Sequence, residues 1–541
     1  MTENKSYYIT TPIYYVNDSP HLGHAYTTIA CDVMARFKRL DGYDVKFLTG
    51  TDEHGQKVDK AATAAGIDPQ KFTDEVSTRF RNLVNSGDNI LNITNDDFIR
   101  TTEARHKVAA QALWKKIETN GEIYLDKYAG WYSVRDEAFY QESELIDGKA
   151  PTGAEVEWTE EESYFFKLSE YQDKLLKFYE ENPNFITPKS RYNEVVSFVK
   201  GGLHDLSISR TSFNWGVDVP ESSSQSSEFS EKKSELRTLT TDHRHVMYVW
   251  IDALTNYLTA IGFPDESAAE YQKYWVNADN SPVHVVGKDI LRFHAVYWPA
   301  FLMAANLPLP QKIVAHGWWT IEGEKMSKSI GNVLSPHDLI ESANGIDQLR
   351  YFLMRAMPFG SDGDFSHSRM VELINSDLAN NVGNLSQRSL SMIFKNCDGK
   401  IPNIADGDFT EDDLKIMHQM RELNLRKKMD AFDYSGAIEK IMHFAGKANE
   451  YIDAQAPWKL RKENPERMKV VLYTLAEVIR CLAIHLLPFT PSASNKILDQ
   501  LSVDENYRDF KSLSEEFKLK GDVEIDKPEG AFPRLEVKEA A

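Results

Sequence analysis

The sequence predicts an α/β fold: a doubly wound parallel sheet split by a connective insertion and followed by an α-helical bundle. Three observations predict it. Strand-like and helical runs alternate over residues 1–115, and the same rhythm returns from about residue 243, after an aromatic and acidic stretch. Beyond about residue 366, strand patterns give way to helical periodicity.

Residues 7–16 are rich in Ile, Tyr, Thr and Val, as a buried strand is. From Ala25 onward, Ile29, Val33, Phe37 and Leu40 recur at helical spacing. His21 to His24, the "HLGH" between them, therefore sit where a strand turns into a helix. In an open parallel sheet that is the ligand-binding end, and a helix N-terminus there favours anions. Gly23 leaves bare backbone against which a flat ring can lie. Taken alone, two histidines at such a turn are also compatible with ordinary capping. Residues 44–49 and 72–91 repeat the strand-then-helix pattern and complete a first unit, 1–115.

The segment 116–240 differs in character, with "GWYSVRDEAFYQESEL" and "EEESYFFKLSEYQDKLLKFYEENP". Its tract "PESSSQSSEFSEKK", residues 220–233, cannot bury a core and reads as a surface loop with no assigned role. Residues 241–320 restore the α/β pattern through "HVMYVWIDALTNYL", "SPVHVVGKDILRFHAVYWPAFLMAA" and "QKIVAHGWWT". In 321–366, "IEGEKMSKSIGNVLSP" places Lys325 and Lys328 between Gly323 and Gly331, which suits a loop that closes over an oligophosphate. Residues 367–541 are helical, with Pro457 and Pro488 as breakers.

At 541 residues the chain exceeds one core. A net charge of −20, from 62 basic and 82 acidic residues, argues against charge-driven binding of nucleic acid. It leaves open the reading of unpaired bases by stacking and hydrogen bonds. Cys31, Cys397 and Cys481 are scattered, so the sequence offers neither a disulfide framework nor a thiolate cage, which fits a cytoplasmic protein. Residues 1–6 lack the pattern of a secretory or transit signal. The apolar run 470–489 carries Glu477, Arg480 and His485 and reads as a core helix, so no membrane partner is expected.

The paired stretches "HLGH" and "KMSKS", in that order, resemble the signatures of class I aminoacyl-tRNA synthetases. "TTPIYYVNDSPHLGH", "LTGTDEHGQK", "YVWIDALTNYL" and "VVGKDILRFHAVYW" further resemble the methionyl-tRNA synthetase family, in order over nearly the whole chain. The resemblance implies a Rossmann-like catalytic domain in two halves (1–115 and 241–320), a connective peptide (116–240), a KMSKS loop and stem-contact region (321–366) and an anticodon-binding bundle with its tail (367–541). It implies activation of L-methionine by ATP and transfer of the methionyl group to tRNA(Met), with Mg²⁺ arriving on the nucleotide.

Residue by residue, the resemblance gives catalysis to His21, His24, Lys325 and Lys328. The methionine site draws on the Ile13 backbone and Asp52 for the ammonium, and on Tyr15, Trp250, Tyr257, Ile290, His294 and Trp298 for the side chain. ATP would meet Gly23, Asp289 and His316 besides those histidines and lysines. Asn384, Arg388 and Trp458 would meet the anticodon. A thioether offers no strong hydrogen bond, so an aromatic pocket with sulfur–ring contacts is the available means of recognition. Ser133 and Asp136 stand where metal-bearing relatives carry knuckle cysteines, so no structural zinc is expected. The insertion is too small for an editing domain, and without a further β-rich module at the C-terminus a monomer is expected.

Overall fold

In the computed structural model, which describes residues 5–16, 19–84, 89–135, 138–140, 142–221, 244–278, 281–325 and 333–536, a seven-stranded parallel sheet forms the centre. The first half supplies β1 (Ser6–Thr10), β2 (Tyr14–Tyr15), β3 (Asp44–Asp52) and β4 (Asp97–Arg100). The inserted segment holds β5 (Ile123–Ser133), β6 (Ala138–Tyr140), β7 (Glu157–Phe166), β8 (Ile186–Thr187) and β9 (Leu206–Ser207). A short antiparallel pair follows, β10 (Ser209–Arg210) with β11 (Val246–Met247). The second half supplies β12 (Val283–Gly287) and β13 (Lys312–His316), and β14 (Trp319–Ile321), β15 (Glu324–Lys325) and β16 (Gly363–Phe365) form a small separate sheet.

Across the central sheet the order is β4-β3-β1-β12-β13-β8, with β2 continuing the β1 side of β3. From β1 the first half steps outward to β3 and β4, while the second half steps the other way from β12 to β13. The order thus reverses between β1 and β12, and at such a switch point ligands bind beyond the carboxyl ends of the strands. β1 and β12 are joined by two register pairs, Ile9↔Val283 and Thr10↔His284. The chain leaving β1 reaches the His21 turn, and the chain leaving β12 reaches Asp289.

Alternation along the strands divides the core into two layers. Tyr7, Ile9, Val285 and Val314 pack toward helix α1 (Leu22–Leu40) and are continuous with the interior of the helical region. Tyr8, Val286, Ile313 and Ala315 face the opposite layer, where Trp114 and Trp298 are fully buried. The insertion contributes a four-stranded antiparallel sheet, β6-β5-β7-β9, but also returns β8 to the edge of the central sheet beside β13.

Beyond Phe365 the named elements are helical, the longest being Tyr434–Gln455 and Pro465–Leu486. Pro457 opens a helix, where its missing N–H costs nothing, and Pro488 follows the C-cap of the run that ends at Leu486. Wholly buried Arg350 ties the regions together. Its guanidinium donates to Asp32 of α1 at 2.6 Å, to the carbonyls of Leu91 and Asn92, and to those of Pro488 and Phe489. No helix among the described residues is long and apolar enough to cross a membrane.

Candidate active site

The turn into α1 is capped by its own histidines. His21 is the N-cap and its Nδ1 accepts the Gly23 N–H at 3.0 Å, while His24 Nδ1 accepts the His21 N–H at 3.1 Å. The reciprocal pattern is that of a capping box, with imidazoles in place of Ser/Thr and Glu. Both Nδ1 atoms act as acceptors, so each neutral ring carries its hydrogen on Nε2. The rings lie 3.9 Å apart, and His24 is walled edge-on by Tyr14 and Phe80. Burial, with His21 alongside, holds His24 well below the usual imidazole range and so keeps it uncharged. The arrangement presents two neutral N–H donors at a helix N-terminus, which suits a polyphosphate. A Cβ on Gly23 would fall 3.0 Å from His21 Cε1, so any larger residue there would push the folded-back imidazole by a few tenths of an ångström.

His316 ends β13, and both of its ring nitrogens are engaged within the protein. Nδ1 donates to the Gly317 carbonyl at 2.8 Å, and Nε2 lies 2.7 Å from Thr27 Oγ1 on α1. It therefore fastens α1 to the far half of the sheet. Asp289 accepts from Trp318 Nε1 at 3.2 Å, and the neighbouring Lys288 bonds both oxygens of Asp362 at 2.7 Å with its ammonium 4.2 Å above the Trp318 ring. Lys325 closes β15 through backbone pairing with Thr320. Lys328 lies outside the described residues, as do residues 222–243, which contain most of the Ser-rich tract, and Asp136.

Tyr15 pairs with Asp52 across β2 and β3, so the proposed ammonium site begins at a strand end. Ile13, Tyr15, Trp250, Tyr257, Ile290 and Trp298 gather in or against one apolar cluster. His294 Nδ1 donates to the Ile290 carbonyl at 2.9 Å, which leaves Nε2 to accept the Tyr257 hydroxyl at 2.7 Å. Burial lowers His294 to about 4, so this pair stays neutral at physiological pH. The segment widens into a π-helical turn over Phe293–Tyr297, a distortion common at functional sites. Phe293, which the sequence reading missed, stacks on Trp250 at 3.8 Å with the rings 8° from parallel. Only its place beside His294 in "RFHAVYW" could have signalled it.

In the helical region exposed Asn384 opens the helix Asn384–Asn396, and Arg388 bonds Asp453 at 2.9 Å while its guanidinium lies 5.3 Å from the Trp458 ring. Trp458 is 41% exposed, so it is a surface ring and not a core one. Ala456, at φ 44° and ψ 59°, makes the left-handed elbow that sets it there. Ser133 is buried in β5. Among the described residues no group of three or more His, Cys, Asp or Glu side chains is placed to hold a metal.

Two family models match the chain. Residues 7–157 and 143–390 match the profile of "tRNA synthetases class I (M)", and residues 401–540 match the "anticodon binding domain of methionyl tRNA ligase". The protein is thus a class I aminoacyl-tRNA synthetase. It is 54% identical over 536 residues to the methionine–tRNA ligase of Rickettsia felis, covering 98% of this chain and 99% of that one, and 49% identical to the enzyme of Mesorhizobium japonicum. The Mycobacterium tuberculosis methionyl-tRNA synthetase in complex with methionyl-adenylate superposes with a TM-score of 0.89 at 49% identity, covering 98% of this chain and all of that one. The chain belongs to the methionyl-tRNA synthetase family and ligates methionine to tRNA at the expense of ATP.

Proposed function

We propose that the crevice between β1 and β12 is where methionyl-adenylate forms, and that the two N-terminal histidines drive its first half-reaction. The methionine carboxylate attacks the α-phosphorus of ATP in line, the bond to the bridging oxygen breaks, and pyrophosphate leaves with the charge. Little covalent help is needed; positioning and hydrogen-bond donors for the developing charge are. His21 and His24 supply such donors from Nε2, and Lys325 and Lys328 close over the phosphates from the second half. Asp52 and the Ile13 backbone hold the ammonium. Tyr15, Trp250, Tyr257, Ile290, His294 and Trp298 enclose the thioether, Asp289 meets the ribose, and Gly23 and His316 shape the nucleotide site. Mg²⁺ enters on the ATP phosphates.

In the second half-reaction the terminal ribose hydroxyl of tRNA(Met) attacks the acyl carbon and AMP leaves. Asn384, Arg388 and Trp458 read the anticodon, in a bundle covering 367–541. The remaining divisions are 1–115 and 241–320 for the catalytic halves, 116–240 for the connective peptide and 321–366 for the closing loop. A cytoplasmic, monomeric enzyme without structural zinc completes the reading; three free thiols support the reducing compartment.

The capping box carries this proposal, because it fixes which nitrogen of each ring bears the hydrogen. Asparagine can keep an acceptor near the position of Nδ1 and has nothing at Nε2. His21→Asn is therefore expected to preserve the helix and lower the rate of ATP–pyrophosphate exchange by about 10²–10³, with little change in methionine KM. An unchanged rate refutes the donor role.

A further inference from the structure

Behind the methionine pocket lies a carboxylate with no part in the chemistry above. Asp252 is wholly buried, and both oxygens are engaged: His54 Nδ1 lies 2.7 Å from Oδ2, and His106 Nε2 lies 2.7 Å from Oδ1. On its far side His106 Nδ1 lies 3.2 Å from Thr259 Oγ1. Burial alone would raise this carboxyl; His54 and His106 outweigh it and hold Asp252 below the usual carboxylate range. Such a cluster is poorly explained by stability, since a buried ionic group is often replaceable by apolar residues at no loss.

Its placement offers a better reason. The three residues come from the loop after β3, the helix Ala104–Thr119 and the helix Val249–Leu254. His54 stands two positions beyond Asp52, and its carbonyl accepts the Tyr15 hydroxyl at 2.8 Å. Asp252 stands two positions beyond Trp250 on the same short helix. The turn is held from the β4 side through Glu53, which bonds Arg100, Thr51 and Thr102 and whose carbonyl accepts from Trp215. His54 is its hold on the pocket side.

We propose that Asp252 is a positioning residue for methionine recognition: by gripping His54 it fixes the turn that presents Asp52, and so sets the affinity for the substrate's α-ammonium. This rests on reading Asp52 as the ammonium ligand. The carboxylate keeps one geometry between the ammonium site and the aromatic wall, joining through hydrogen bonds two parts of the pocket that come from opposite halves of the catalytic domain.

The experiment measures ATP–pyrophosphate exchange with methionine and then ATP as the varied substrate. Asp252→Asn preserves shape but sets an N–H₂ against one of the ring N–H groups. It is expected to raise methionine KM about 10- to 50-fold while ATP KM stays within about 2-fold, as a displaced binding group would. Combined with Asp52→Ala, its effect is expected not to multiply, because both act on one contact. His54→Leu reproduces the defect, and His54→Asn, which keeps an N–H near the position of Nδ1, recovers most of it. If Asp252→Asn fails to fold, the two His54 variants carry the test. An unchanged methionine KM, an equal rise in ATP KM, or full multiplication with Asp52→Ala overturns the proposal. If Asp52→Ala alone leaves methionine KM unchanged, the ammonium reading itself falls, and this inference with it.

Discussion

At the residue scale, the site rests on imidazoles kept neutral by their surroundings. His294 illustrates the energetics. Unfolded, it binds a proton near pH 6.5; folded, burial lowers that to about 4. Its folded pKa lies below the unfolded value, so stability is full above pH 6.5 and is lost as the pH falls toward 4. The gap corresponds to roughly 3 kcal/mol. His294→Gln retains an acceptor for the Tyr257 hydroxyl and does not titrate. The variant is expected to lose about 2–3 °C less of its melting midpoint than the parent between pH 6.5 and 4.5, as thermal denaturation would record. An identical acid profile in the two proteins contradicts the buried, neutral assignment. In the sequence the types His21, His24 and His294 were legible, and so was the aromatic company of the last. Their tautomers were not, because those depend on backbone groups such as the Ile290 carbonyl and the Gly23 N–H.

At the element scale, long periodic segments were readable and short ones were not. α1 and the strand Asp44–Asp52 follow from pattern alone, whereas the single strand expected over residues 7–16 is two, Ser6–Thr10 and Tyr14–Tyr15, parted around Pro12, which has no N–H to give a ladder. The two-residue strands Tyr14–Tyr15 and Ile186–Thr187 have no periodicity to read, yet one aligns Tyr15 with Asp52 and the other brings the insertion back to the sheet. Trp458 likewise could pass for a bundle core residue by spacing. It is the left-handed Ala456 followed by Pro457 that turns the chain and leaves the ring at the surface beside Arg388. A base stacked on such a ring is worth about 1–3 kcal/mol. Trp458→Ala is accordingly expected to lower kcat/KM for tRNA charging by about 10- to 100-fold while pyrophosphate exchange stays near the parental value. A parallel fall in both assays removes Trp458 from the anticodon interface.

At the scale of the whole molecule, Arg350 joins α1, the loop at Leu91 and Asn92, and the end of the long helix before Pro488. Burial alone would raise the Asp32 carboxyl; Arg350 and Arg36 outweigh it and hold Asp32 below the usual range, so removal of Arg350 leaves a buried anion short of a partner. Arg350→Met is expected to destabilise by about 3–5 kcal/mol. Methionine activation and tRNA charging should fall together with the melting midpoint, and adding Asp32→Asn should restore part of the loss. A variant as stable as the parent would show that the charge is not shielded from water. None of this network was legible beforehand, because its members are separated by 318 positions between Asp32 and Arg350 and most of the acceptors are main-chain carbonyls. The scarcity of pairing between β1 and β12 has its own consequence. In backbone pairing the two half-domains meet over only two residues, beneath the crevice, and side chains bridge the rest, among them His316 with Thr27 and Tyr8 with the Tyr257 carbonyl. A ligand lodged there would touch both sides of the seam, so its binding adds to what those side chains supply, and the melting midpoint is expected to rise as the cleft fills.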